Sequence, residues 1–298
     1  MSDTMASLRR KIGSSEDLQS VVRTMKAMAA LNIGQYDQSV KALANYYRTV
    51  ELGLRVCFRG RPSASSTQEG PDAVGARALV AVVFGSDQGL VGQFNDEVAD
   101  YAVKALAGSL GKPQVWAVGE RVHARLTDMG VPPAGLFGVP VSIKAITPLI
   151  GQILMAGVTR ESRDDAFELH LFYNRPTSLA LYAPVSQRLL PLDDAWLNGL
   201  SGLSWPTKNL SEVVGDNPAT PRAFIREYLF VSLFRACAES LASENASRLA
   251  AMERADKNIG EILDSLRSAF HGLRQSGIDE ELFDVISGFE ALSTPPCR

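Results

Sequence analysis

The last long segment of the chain, residues 221–292, has no proline after Pro221 and repeats apolar residues every three or four positions. The repeat consists of Ile259, Leu263, Leu266, Phe270 and Leu273, followed by Ile278, Leu282, Val285, Phe289 and Leu292. A spacing near seven residues per two turns predicts a helix with a left-handed supercoil, and the longer step near Gly277 predicts a local irregularity. Such a helix is ~105 Å long at ~1.5 Å per residue, so most of it packs on something other than one small core.

The first sixty residues provide a partner for this helix. They contain no proline, and their apolar residues recur at the same spacing: Val22, Met25, Ala29, Tyr36, Val40, Leu43, Tyr47, Val50 and Leu54. This segment is rich in Lys and Arg, whereas residues 279–290 are rich in Asp and Glu. We therefore expect two antiparallel helices side by side, although each charged run is also compatible with a merely solvated helix face.

Between the helices the pattern changes to short apolar runs alternating with helical stretches. Strands are predicted at 78–84 and 114–118, helices near 94–106, 120–129 and 143–156, and a strand pair at 166–173 and 178–190. Alternation of this kind predicts right-handed crossovers and a mostly parallel sheet. The predicted fold class is an α/β domain with a mostly parallel sheet, flanked by long N- and C-terminal helices that form an antiparallel left-handed coiled coil.

The same reading predicts six segments along the chain. They are an N-terminal coiled-coil helix (1–60), a linker (61–76), a Rossmann-like α/β domain (77–192), a connecting loop (193–220), a C-terminal coiled-coil helix (221–292) and a tail (293–298). The C-terminal helix is the longer one, so we expect its last turns to extend past its mate. Apolar side chains there form a tip that needs a binding partner.

Composition excludes several classes of protein. The chain is 46% hydrophobic and 21% charged, as in soluble globular proteins, and its net charge of −3 disfavours nucleic acid as a partner. No apolar run approaches the roughly 18 residues of a membrane span, and the start lacks an apolar signal core. We expect a cytosolic chain that is at most peripheral to a membrane. The three cysteines are far apart, which argues against a disulfide framework.

No catalytic, cofactor or metal site is predicted. The turn GSDQGLVGQ, residues 85–93, follows a strand, but it lacks both the GK[ST] and the GxGxxG spacing of nucleotide-binding loops. We interpret it as a structural turn in which Asp87 and Asn95 cap nearby helix starts. His123, His170 and His271 are too widely separated for a metal-ligand pattern.

Five stretches of the sequence resemble the gamma subunit of F-type ATP synthase. They are SLRRKIGSSEDLQSVVRTMKAMAAL (7–31), SDQGLVGQFN (86–95), YNRPTSLALYAPVSQRLLPL (173–192) and the C-terminal pair SENASRLAAMERADKNIGEIL (243–263) and LRQSGIDEELFDVISGFEAL (273–292). The similarity covers nearly the whole chain and follows the helix, α/β, helix order reached above.

The resemblance implies a function. The chain would be a rotary central-stalk subunit that couples ion flow through a membrane ring to ATP synthesis or hydrolysis at beta subunits, without being catalytic itself. The implied partners are three alpha and three beta subunits, an epsilon subunit and a membrane ring of c subunits. The implied location is peripheral, on the cytoplasmic face of a bacterial cell membrane, because no organelle transit segment precedes the first helix.

The resemblance also implies contact residues. Arg274 and Gln275 match the family's pair that engages a catch loop of beta, and Arg23 and Lys26 match basic positions of its first helix. Asp279, in the same contact region, stands where the family usually has Thr. The alternative for Arg274 and Gln275 is that they are ordinary solvent-facing residues. The implied bearing tip consists of Leu282, Val285, Ile286, Phe289 and Leu292.

The sequence also departs from the family pattern. Residues 31–37 replace a basic run, which removes positive charge expected to face an acidic loop of beta, and the tail STPPCR (293–298) runs past the family's usual end. These departures suggest a divergent branch, such as one that works with an alternative ion-translocating ATPase.

Two other functions remain open at this point. The first is a doubly wound α/β enzyme with helical dimerisation arms that binds a nucleotide at the glycine-spaced turn, and the second is a coiled-coil scaffold. Turnover of ATP by the isolated chain would favour the enzyme.

Overall fold

The computed structural model describes residues 4–59, 78–108, 112–158, 167–178, 180–192, 194–209, 211–213 and 219–293. The predicted linker lies outside these residues, as does the tail after Ser293. Two helices are far longer than the others, α1 (Met5–Phe58) and α6 (Ala219–Ser293). The long helices predicted for both ends of the chain are therefore confirmed.

The elements between the long helices form a five-stranded sheet and four shorter helices. In chain order they are β1 (Ala78–Phe84), α2 (Phe94–Leu106), β2 (Gln114–Val118), α3 (Glu120–Asp128), β3 (Gly135–Phe137), α4 (Ile143–Val158), β4 (Phe167–Arg175), β5 (Ala183–Leu190) and α5 (Asp194–Ser201). The strand order is β3-β2-β1-β4-β5. All neighbouring strands are parallel except β4 and β5, so the predicted mostly parallel sheet with a strand pair at one edge is confirmed.

Three details differ from the prediction. The first is β3, which was not predicted because its three residues are too few to show a periodic pattern. The stretch predicted as a connecting loop, 193–220, contains α5, which buries Leu200. The edge strands are separated by residues 176–182 rather than by a four-residue turn.

The chain divides into two compact units. Unit 1 comprises residues 1–28 and 249–298, and unit 2 comprises residues 29–248. The division cuts through both long helices, whereas the sequence analysis placed the domain boundaries at the helix ends. Those boundaries stay a prediction.

Unit 2 has an apolar core on each face of the sheet. Val83, Ala117 and Phe172 point to one face, where they pack with residues of α2 and α3 such as Val98 and Leu126. The opposite face carries the larger core, whose members include Val82, Trp116, Leu171, Tyr36, Leu54, Ile150, Tyr228 and Leu241. Parts of both long helices and all of α4 therefore cover one face of the sheet.

Within unit 2, α6 is tied to the sheet by buried polar side chains. The hydroxyl of Ser243 donates to the carbonyl of Asn174 at 3.0 Å, and the hydroxyl of Ser247 donates to the carbonyl of Val91 at 2.5 Å. The buried carboxylate of Glu239 accepts from Arg175 Nε at 2.8 Å and from Arg235 Nε at 2.7 Å. Because buried polar groups need partners, these bonds fix the register of α6 on the sheet.

The parts of α1 and α6 that belong to unit 2 are antiparallel. Asn32 donates to Asn245 at 3.3 Å, and further along α1, Tyr46 donates to Glu227 at 2.6 Å. As residue numbers rise along α1, the numbers of the contacting residues in α6 fall, so the two helices run in opposite directions.

Candidate partner-binding surface

Unit 1 is a pair of antiparallel helices joined by a narrow apolar seam. Val22 from α1 packs with Met252, Ile259 and Leu263 from α6, and all four are buried. Ile12, Met25, Ala251 and Ala255 pack at the edges of this cluster. The three α6 positions fall on one face because their spacing follows the helical repeat, so the predicted seam is present at Ile259 and Leu263. Leu273, also predicted as a seam residue, is 41% exposed, so the seam ends before it.

Polar side chains flank the seam and set its register. Asp256 of α6 accepts from Gln19 Nε2 at 3.1 Å and from Arg23 Nε at 3.2 Å. Lys26 Nζ lies 3.5 Å from Glu253 Oε1. Rising numbers in α1 again meet falling numbers in α6, which makes this pair antiparallel.

An exposed ion pair lies further along the seam. Arg267 of α6 donates to Glu16 of α1 at 2.6 Å, and each side chain is about half exposed. Exposed pairs of this kind contribute at most about 1 kcal/mol, so the apolar seam provides most of the stability of unit 1.

α6 continues beyond the seam as an exposed helix, which we call the tip and define as residues 271–289. Leu263 is buried and Phe270 half-buried, but every residue from His271 to Phe289 is exposed. At ~1.5 Å per residue the tip is about 28 Å long. Leu282 is 57% exposed and Phe289 72%, as the sequence predicted. Leu292 belongs to the helix, but its side chain lies outside the described residues.

Five of the apolar side chains of the tip share one helix face, whereas Leu273 and Phe283 lie outside it. Ile278, Leu282, Val285, Ile286 and Phe289 fall within an arc of about 100° at ~100° per residue. The step from Leu273 to Ile278 is five residues long, one more than the seam allows, so this face is turned by about 100° from the line of the seam. The tip therefore presents an apolar surface that the α1–α6 seam does not continue.

The predicted contact residues lie in two groups. Arg23 and Lys26 are close together, one turn apart on α1, and both engage carboxylates of α6. The second group lies in the exposed tip and consists of Arg274, Gln275 and Asp279. Arg274 is about 27 Å along α6 from Asp256, the partner of Arg23, at ~1.5 Å per residue. Within the described residues no ion pair or hydrogen bond of these three side chains is found. The structure therefore does not bring all five residues to one point.

Arg23 keeps donors available although it is paired. Its Nε donates to Asp256, yet its side chain is 63% exposed, while that of Asp256 is 23% exposed. A guanidinium held through Nε presents its two terminal nitrogens as a fork, the arrangement that suits a carboxylate. Asp256 thus orients Arg23 on the surface of unit 1.

The sequence analysis missed the acidic partners in this region, Glu16, Glu253 and Asp256, and the arginine Arg267. Each is an ordinary charged residue on an amphipathic helix. These pairs depend on the register between two helices that are far apart in sequence. That register leaves no local signal in the sequence.

The glycine-spaced turn of unit 2 uses its polar groups internally. Asp87 accepts from the backbone N–H of Glu120 at 3.0 Å and from that of Val139 at 2.9 Å, so it satisfies the start of α3, 33 residues away, rather than a nearby helix start as predicted. Asn95 does not cap a helix, because its Oδ1 accepts from Ser86 N at 2.9 Å. These bonds favour the structural interpretation of the turn over a nucleotide loop.

Two buried titratable groups of α6 belong to unit 2. Burial raises the pKa of Glu244 although Arg248 lies 2.6 Å away, and burial raises the pKa of the Cys237 thiol. Among the described residues there is no group of His, Cys, Asp or Glu that could hold a metal ion, and no helix long and apolar enough to cross a membrane.

Comparison with known proteins assigns a family to the chain. A family model described as ATP synthase matches residues 4–292. The ATP synthase gamma chain of Granulibacter bethesdensis is 28% identical over 305 residues, which cover 97% of this chain and 99% of the relative. That of Clostridium botulinum is 23% identical over 287 residues, with 95% and 96% covered.

The fold also has a counterpart among solved structures. A chain in the structure of the Euglena gracilis mitochondrial ATP synthase, comprising OSCP, F1 and c-ring, matches with a TM-score of 0.65 at 15% identity. The match covers 99% of this chain and 97% of that one. At this identity the match supports the fold, with its sheet and its two long helices.

Proposed function

Because this chain belongs to the family of ATP synthase gamma chains, we propose that it is the central-stalk rotor of an ion-translocating F-type ATP synthase. In this role it couples ion flow through a membrane c-ring to ATP synthesis or hydrolysis at beta subunits, and it has no catalytic site of its own. Its partners are three alpha and three beta subunits, an epsilon subunit and the c-ring. It sits peripherally on the cytoplasmic face of a bacterial cell membrane.

The observation that carries this proposal is the exposed tip. A bare helix with an apolar face is unfavourable in water and is expected to be covered in the working protein. The tip is ~28 Å long and narrow, a shape that suits insertion into a central opening of a ring rather than docking on a flat surface. Ile278, Leu282, Val285, Ile286 and Phe289 are the residues that would bear against such a ring, and Leu292 extends the same predicted set.

Coupling requires that the rotor distinguishes identical sites. To move one beta subunit from mostly open to mostly closed, from 1:99 to 99:1, the rotor must supply about 5.5 kcal/mol of differential contact energy. The tip is suited to this because it is asymmetric. Its apolar face lies opposite Glu280 and Asp284, so each neighbour around it meets a different surface at each orientation.

Two groups of polar residues serve as contacts to beta in this proposal. Arg274 and Gln275 form the first, and Arg274 offers a planar fork for carboxylates. Asp279 lies one turn away from Gln275, where its charge opposes an acidic partner loop. Arg23 and Lys26 form the second group, with Arg23 oriented by Asp256. Charge-assisted hydrogen bonds of this kind contribute more than neutral ones.

The assembly test is affinity purification of the tagged full chain from native membranes, followed by mass measurement of the intact complex. The proposal expects alpha and beta in three copies each per copy of this chain. The matched comparison is a chain with Leu282→Glu and Phe289→Glu, which should recover less alpha and beta because two charges enter the apolar face. Recovery of the unmodified chain without alpha and beta would refute the rotor assignment.

The contact test is ATP turnover of the purified complex with Arg274→Ala. Turnover should fall while the circular dichroism of the chain stays unchanged, since Arg274 is exposed and its loss leaves no cavity. Arg254→Ala is the control, because Arg254 is an exposed arginine of the same helix whose Nε donates to the carbonyl of Ala250 at 3.3 Å. Equal turnover in the two variants would remove Arg274 from the contact.

A further inference from the structure

A small cavity in unit 2 is lined by hydrogen-bond donors. It has a volume of about 180 Å³, and its lining includes Arg55 and Arg59 at the end of α1 together with Trp205, Thr207, Asn209 and Ser211. At ~30 Å³ per water molecule it holds about six water-sized groups, which is room for one small polyatomic ion with some solvent. The described lining contains no carboxylate.

Arg55 and Arg59 have N–H donors that are available to a ligand. Arg55 donates from NH1 to the carbonyl of Leu203, a bond that fixes the half-buried side chain against the 203–211 stretch. Arg59 is exposed, and among the described residues neither guanidinium forms an ion pair. An anion in the cavity would reduce the repulsion between these two positive charges.

The hydroxyl of Thr207 is oriented by its neighbours. Its Oγ1 accepts from Trp205 Nε1 at 3.1 Å and from the backbone N–H of Asn209 at 3.4 Å. With two donors already directed at the oxygen, the hydroxyl proton is directed away from them, and no acceptor for it is found within the described residues. Thr207 is thus available as a donor to a ligand.

From these observations we infer that the cavity binds a phosphate group. Phosphate offers three or more strong acceptor oxygens in different directions, which matches donors from Arg55, Arg59 and Thr207 better than the two oxygens of a carboxylate. The phosphate belongs either to free inorganic phosphate or to a phosphomonoester lipid headgroup. The inference is independent of the proposed contacts to beta, because all residues of the cavity lie in unit 2.

The first experiment is calorimetric titration of inorganic phosphate into the full chain, with chloride used to hold the ionic strength constant. One site of millimolar or tighter affinity is expected. Arg59→Gln should weaken it about tenfold, because it removes a charge-assisted contact from an exposed residue without disturbing the fold. The control is Arg9→Gln, an exposed arginine of the same helix in unit 1, which should leave the affinity unchanged. Absent binding, or equal weakening in both variants, would overturn the inference.

The second experiment identifies the source of the phosphate. Vesicles of phosphatidylcholine with and without phosphatidic acid are sedimented with the full chain. Recruitment that requires phosphatidic acid, is lost in Arg59→Gln and is displaced by inorganic phosphate assigns a lipid headgroup to the site. Phosphate binding in the calorimeter without such recruitment assigns free phosphate.

Discussion

Truncation of one seam residue tests how unit 1 is held together. Leu263 is 3% exposed and packs with Val22, Met252 and Ile259. Leu263→Ala removes three buried carbon atoms and leaves a cavity, a change that costs about 2–5 kcal/mol in protein cores. Because the seam is only two helices wide, its walls can collapse partly, and we expect the lower part of this range, about 2–3 kcal/mol.

Hydrogen exchange measures this loss of stability residue by residue. At ~1.4 kcal/mol per tenfold, backbone amides of residues 249–263 should exchange about 30- to 150-fold faster in the variant, while amides of β1 and β4 keep their protection. The control is Ile262→Ala. Ile262 is the preceding residue of α6 and is 53% exposed, so its truncation should change exchange little.

Either of two results would contradict this prediction. Equal acceleration in the two variants would mean that burial in the seam does not stabilise unit 1. Acceleration that spreads equally to the sheet amides would mean that the two units unfold together rather than as separate bodies.

Three further predictions follow from particular residues. Ala255→Pro should interrupt α6 at a cost of about 3 kcal/mol or more, seen as lost helical signal in circular dichroism, and a normal spectrum would contradict a continuous helix. Gly119→Ala should abolish soluble folded protein, because Gly119 has a φ of 117° and a Cβ there would lie 2.8 Å from the carbonyl oxygen of Ser86; Gly151→Ala, with open space around it, is the control that should fold normally. Cys237 should resist alkylation in the native chain and react after denaturation, by peptide mass spectrometry, because burial raises its pKa; rapid native labelling would place it at the surface.

The sequence was sufficient for the elements with strong patterns. The apolar runs at β1 and β2 and the three–four repeats of the long helices agree closely with the structure, because burial of one face requires such spacing. Asp87 was identified as an acceptor of backbone N–H groups, but its partners, Glu120 and Val139, are distant in sequence and were not predicted.

The sequence was insufficient where position depends on distant partners. β3 is defined by its pairing with β2 and not by its own three residues. Asp256 pairs with Arg23, and Glu239 pairs with Arg175 besides its neighbour Arg235. Arg23 and Arg175 are more than 60 positions from their partners, so these two pairs could not be assigned before the helices were placed. Asn95 was assigned as a helix cap but holds Ser86 instead, because the turn folds back on the start of α2.

α6 has an unusual distribution of polarity. In unit 2 it buries Ser243, Glu244, Asn245 and Ser247, whereas in the tip it exposes Leu282 and Phe289. In the proposed role, a newly made copy therefore displays an apolar stretch of the kind that chaperones capture and proteases degrade, until partners enclose it. A copy whose tip stays uncovered keeps that mark, so cellular quality control can distinguish it from an assembled copy.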